Sequence, residues 1–115
     1  MDEKRKTALG IEENLEGALS YFMGIITGIL FLILEKENKF VRFHAMQSIL
    51  VSVAAMVILT VVGTILLFIP VIGWLIDMLL YLGALVLWLF LMFKAYKGEI
   101  YKLPIFGDFA EKQIK

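Results

Sequence analysis

The chain has 115 residues, with 11 basic and 11 acidic side chains, one histidine and no cysteine; 61% of its residues are hydrophobic and 19% charged, and its mean hydropathy is +0.88. Soluble domains run nearer ~45–50% apolar and ~25% charged, and so short a chain has too little interior to hide this much apolar surface. The same figures exclude a disordered chain, a disulfide scaffold and a basic nucleic-acid binder. They point to an all-α integral membrane bundle.

Residues 1–17 form an acidic N-terminal segment, with Asp2, Glu3, Glu12, Glu13 and Glu16 against Lys4, Arg5 and Lys6. The glutamates stand where a signal peptide would carry its basic region, and no small-x-small site follows, so the next apolar stretch is expected to stay in the mature chain. The transmembrane domain is placed at 18–110, with a short C-terminal end at 111–115. Three spans are expected within it, at about 18–34, 45–69 and 71–93. The first is only about 25 Å long as a helix, short of the about 30 Å hydrocarbon core, and so requires local thinning or support from its neighbours. Pro70 lacks an N–H and clashes with the preceding turn, so Pro70 to Gly73 reads as a tight turn that makes spans two and three a hairpin. A re-entrant first segment, or a third broken near Gly83, would give a different span count, four included, and move the N-terminus across the membrane. No internal repeat stands out.

Basic residues orient the chain. The loop 35–44 carries Lys36, Lys39 and Arg42, and the tail carries five lysines. Three spans put these two regions together in the cytoplasm and the N-terminus, with Lys4, Arg5 and Lys6, outside.

Helical periodicity sorts the faces. On the first segment Ser20, Gly24, Thr27 and Gly28 align with Gly17, a stripe of small residues suited to close helix packing. On the second, His44, Gln47, Ser48 and Ser52 share a face with Ala55, which suits hydrogen bonds between helices or a polar docking groove. The third carries Trp74, Asp77, Tyr81, Ala84 and Trp88 on one side. Asp77 is an ionisable residue inside a span, with Tyr81 or Thr64 as its expected partner in a structural role and a substrate or proton role as the sharper alternative.

Asn38 is a good N-cap for a helix running into the second span. Phe40, Arg42 and Phe43 beside it suit either an approach to anionic lipid or a partner surface. The lone His44 is a poor metal candidate, since a zinc site needs three or four ligands. Gly98 is placed at the end of the third helix, and the apolar run Leu103 to Phe109 is expected to fold back onto the bundle or the membrane surface.

Three stretches taken together, FLILEKENKFVRFHAMQS, FIPVIGW and KAYKGEIYKLPIFGDFA, resemble the small prokaryotic membrane proteins related to the Tic-type translocon subunit of the chloroplast inner envelope. The matching residues are Glu35, Lys36, Phe40, Val41, His44 and Gln47, then Ala95, Gly98, Glu99, Tyr101, Pro104, Ile105, Gly107 and Asp108. The resemblance covers about residues 18–110. It implies a multi-pass helical protein of the cell membrane without known enzymatic activity, with a role in protein translocation or membrane assembly.

The function expected is therefore that of a small non-catalytic membrane protein acting through helix contacts with itself or other membrane proteins. An oligomeric channel or small-solute carrier is the alternative. There is no catalytic motif of a hydrolase, metalloprotease or nucleotide enzyme and no cofactor signature, and no metal or nucleic acid is expected.

Overall fold

The computed structural model describes residues 7–114. These form five helices and no strand: α1 (Glu13–Phe22), α2 (Ile25–Leu34), α3 (Lys39–Leu66), α4 (Ile72–Tyr96) and α5 (Phe106–Gln113). Two of them, α3 and α4, are long and apolar enough to cross a membrane; at 1.5 Å per residue they measure about 42 and about 38 Å.

The expected first span is not one helix. It breaks at Met23 and Gly24, where Gly24 takes φ 59° and ψ −116°, a conformation that essentially only glycine reaches at low cost. Each arm has ten residues, about 15 Å, which is half a hydrocarbon core. The arms run back to back, because Glu13 at the start of α1 meets Asn38 just beyond α2. Thr27 stitches the tip: its hydroxyl accepts from the Met23 N–H (3.1 Å) and donates to the Ser20 carbonyl (2.9 Å). Three spans are thus replaced by two long helices and a short helical hairpin.

This hairpin lies along one half of the longer α3–α4 hairpin. α1 packs against both α3 and α4, and α2 against α3. The N-terminal segment, the loop after α2 and the chain beyond α4 gather at one end, since Ala8 reaches Glu35 and His44 reaches Glu99. The segment at residues 7–9 therefore sits beside the 35–38 loop, whereas the three-span reading had placed the N-terminal side and that loop on opposite sides.

Asn38 caps α3, its Oδ1 accepting from the Val41 N–H at 2.9 Å. The starts of α4 and α5 use a different device, and use it twice. Ile69, Pro70, Val71, Ile72 and Gly73 correspond one for one to Leu103, Pro104, Ile105, Phe106 and Gly107. In both, a β-branched residue after the proline has positive φ, 65° at Val71 and 72° at Ile105. The next N–H bonds back to the proline carbonyl (2.7 and 2.8 Å), and the glycine N–H bonds to the aliphatic residue before the proline (2.9 and 2.8 Å). These are γ-turns of the rare, strained kind. They satisfy two of the orphan N–H groups at a helix start with backbone carbonyls alone, which suits an apolar segment without a polar capping side chain. The glycine is required, since a Cβ at Gly73 would strike the Leu66 carbonyl and one at Gly107 would strike Lys102.

Substituting Gly24 by Ala should cost about 1–3 kcal/mol, because the backbone there excludes a Cβ. Gly83, whose Cβ position is open space, should accept Ala with a change of less than about 1 kcal/mol. Unfolding by a denaturing detergent in micelles measures both; equal behaviour of the two variants would contradict the break at Gly24.

Candidate functional site

The most elaborate chemistry in the molecule is a buried polar hub where α1, α3 and the C-terminal tail meet. His44 is 1% exposed and Gln47 fully buried. His44 Nε2 lies 2.8 Å from the Glu99 carbonyl oxygen. A carbonyl only accepts, so Nε2 carries the proton and Nδ1 is bare. The Tyr21 hydroxyl, 2.8 Å from Nδ1, must then donate to it. The Gln47 amide N–H groups fill the remaining positions, donating to the Tyr21 oxygen (2.8 Å) and to the Tyr101 carbonyl (3.0 Å). Gln47 Oε1 accepts from the Leu103 N–H at 2.9 Å. Every bond direction follows from the one at Glu99, and the pattern closes with a neutral imidazole. Phe40 and Phe43 pack edge-on against the imidazole, at 4.7 and 5.3 Å between ring centres.

A second set of bonds secures the hairpin tip. Breaking a helix exposes its last carbonyls; here Trp88 Nε1 donates to the Tyr21 carbonyl (2.6 Å), and the Ser48 hydroxyl adds a bond (3.2 Å) to the Gly24 carbonyl, which also accepts the first N–H bond of α2, from Gly28 (2.9 Å). Ser52 faces Gly24, and Gly28 faces Ala45 and Ile49. Arg42 donates to the Leu32 carbonyl at the end of α2 (2.8 Å). The small-residue stripe on the first segment and the polar stripe on α3 thus meet each other within one chain. Phe40 and Phe43, which suited a surface for lipid or a partner, are buried along with His44, Gln47 and Ser48, because the hairpin and the tail lie over them.

A third cluster closes the mouth of the hairpin. Glu13, Glu16, Glu35 and Asn38 are all buried. Asn38 Nδ2 donates to Glu13 (3.1 Å), and Glu35 accepts from the Ala8 and Leu9 N–H groups (2.7 and 3.3 Å).

Asp77 is not brought to any of these clusters. It lies near the α3–α4 turn, against Gly63, with Oδ1 shielded and no hydrogen-bond partner among the described residues. Neither Tyr81 nor Thr64 bonds to it; Thr64 donates to the Thr60 carbonyl. In the tail, Gly98 ends α4 with φ 82°, Tyr101 contributes its carbonyl to the hub, Pro104 and Gly107 build the α5 turn, and Asp108 is an exposed residue in the first turn of α5. The residues missed by sequence reading are Tyr21, whose hydroxyl joins His44 to Gln47, and Glu35 with Glu16. The glutamates carried a signal, being charged residues at the two ends of one apolar segment.

The hub docks the tail by hydrogen bonds to backbone, so its loss should free the tail. Gln47→Leu strands the Tyr101 carbonyl and the Leu103 N–H, at about 1–3 kcal/mol for each buried group left unpaired. Trypsin should then cut after Lys102 much faster than in the unaltered chain, with Tyr21→Phe intermediate. Cleavage at equal rates in all three would show that Gln47 does not hold the tail.

The model of the magnetosome magnetite crystal formation protein family matches residues 4–110. The UPF0132 membrane protein MJ1443 of Methanocaldococcus jannaschii is 56% identical over 107 residues, covering 93% of each chain. A UPF0132 membrane protein of Archaeoglobus fulgidus is 50% identical over 104 residues, covering 90% of this chain and 97% of its own. No solved structure matches. These matches overturn the expected kinship with Tic-type translocon subunits, for nothing among them points to a translocon; short motifs around an apolar segment resembled that group, but a match over nearly the full chain decides the family. The chain belongs to the magnetosome magnetite crystal formation protein family, whose members include the archaeal UPF0132 membrane proteins.

Proposed function

We propose that this protein is a non-catalytic membrane scaffold that works by lateral contacts of α3 and α4, with itself or with other membrane proteins. In this reading α3 and α4 cross the membrane and the α1–α2 hairpin enters it halfway and returns. All the lysines and the arginine of the described residues then lie toward the end that holds the 35–38 loop and the tail, with none in the 67–71 turn. The positive-inside bias puts that end in the cytoplasm.

The observation that carries the reading is where polar groups are and are not satisfied. The hub is bonded within the chain. The half of α3 and α4 beyond the hairpin tip presents Val57, Val61, Ile65, Leu79 and Leu82 outward, and it holds Asp77, whose Oδ1 has no hydrogen-bond partner among the described residues. A carboxyl in an apolar span is expensive unless a neighbour bonds it, and a donor from an adjacent helix would supply that bond. The family description names magnetite crystal formation, but among the described residues no three His, Asp or Glu side chains converge as a metal site.

Single cysteines replacing Val57, Ile65 and Leu82, treated with a short bifunctional maleimide in native membranes, should give covalent adducts of the chain with itself or a neighbour. Adding Asp77→Asn should lower the yield several-fold. Absence of adducts at all three positions would remove this reading.

A further inference from the structure

The mouth of the short hairpin holds a carboxyl pair that the scaffold reading does not use. Glu16, in the first turn of α1, is fully buried, and neither of its oxygens receives a hydrogen bond among the described residues. The polar groups beside it are the Glu35 carboxyl and the Thr7 hydroxyl. Thr7 has one proton, which it donates to the Ile11 carbonyl at 2.6 Å. Glu35, 1% exposed, accepts two backbone N–H bonds from Ala8 and Leu9. Two acceptors face each other, and the arrangement is satisfied only when Glu16 carries a proton and donates it to Glu35.

We propose that a proton held between Glu16 and Glu35 latches the short hairpin and the segment at residues 8–9 together, so that losing this proton as pH rises loosens both. Glu35 joins the end of α2 to the segment at residues 8–9 and lies against Glu16 of α1, so a second negative charge at Glu16 acts on all three. No cation in the described structure offsets it. From α3, Arg42 is engaged on the Leu32 carbonyl, Lys39 is exposed, and His44 is committed to Tyr21 and Glu99. From the end of α4, Lys94 pairs with Glu99 and Lys97 lies over the Phe93 ring. Lys36 and Glu37 in the loop are exposed, as is Glu12 just before α1, and Glu13 accepts from Asn38.

The direction of the effect follows from linkage. Burial, and then the hydrogen bond and charge of Glu35, raise Glu16 from 4.5 to about 8. The closed form thus binds the proton more tightly than the open form does. Closure is strongest below the ordinary value, weakens by up to about tenfold per pH unit as pH rises toward 8, and changes no further above it.

Two measurements on the full chain in lipid vesicles test this. Hydrogen-exchange protection factors of residues 16–22, which divide out the intrinsic pH dependence of exchange, should fall between pH 5 and 8 and level off beyond. In E16Q, whose amide still donates to Glu35, they should not vary with pH. Infrared spectra should show a protonated-carboxyl band at pH 6 that fades between pH 7 and 9 and is absent from E16Q. A band at pH 6 that persists in E16Q, or protection in E16Q that falls with pH as in the unaltered chain, would overturn the latch.

Discussion

A helix broken inside an apolar setting must find partners for the backbone groups it frees, and in this protein one such break organises the rest. At Gly24 the first apolar segment turns back on itself. The carbonyls near the break are taken by Trp88 and Ser48 from the two long helices, and Thr27 bridges the ends of the two arms. Each bond fixes how deep the short hairpin sits against α3 and α4. That depth brings Tyr21 level with His44 and Gln47. From there the hydrogen-bond chain continues to Glu99, Tyr101 and Leu103, so the tail is held by the same geometry that closes the hairpin tip.

The all-helical membrane character was legible in composition, and α3 and α4 in the length of their apolar runs. Asn38 as a cap and the inward fold of Leu103 were legible from local chemistry. A re-entrant first segment stood only as the alternative, and its break at Gly24 was not legible, because glycine is common in membrane helices and a 17-residue apolar run with no proline reads as one span. Its shortness was the available sign, together with Glu16 and Glu35 at its two ends. A span with carboxyls at both ends reads as bounded by two interfaces, whereas here the carboxyls are neighbours at one. The mirrored turns at Pro70 and Pro104 were also on the page, but five matching residues separated by 34 positions fall below what a search for repeats registers. The inward turn of Phe40 and Phe43 could not be read, since an amphipathic face looks the same whether lipid, a partner or a segment of its own chain covers it.

Polar side chains in this protein serve mainly to tie its own backbone together. That leaves two features of a different kind. Asp77 sits in the uncovered half of α3 and α4, where a neighbouring helix is the natural source of its missing bond. Glu16 sits at the opposite end, where a proton serves in place of a partner. One concerns what the protein touches and the other how firmly its short hairpin is closed, and they are separable because the two groups lie at opposite ends of the α3–α4 hairpin.

The placement of residues 7–9 beside the 35–38 loop and the tail is the claim on which the hairpin, the hub and the latch all depend. Single cysteines at Thr7, Lys112 and Phe68, in sealed membranes of known orientation, can be labelled with a maleimide that does not cross the bilayer. Thr7 and Lys112 should react from one side, and Phe68, in the turn between the long helices, from the other. Labelling of Thr7 from the side of Phe68 would restore a first segment that crosses the membrane and contradict the fold described above.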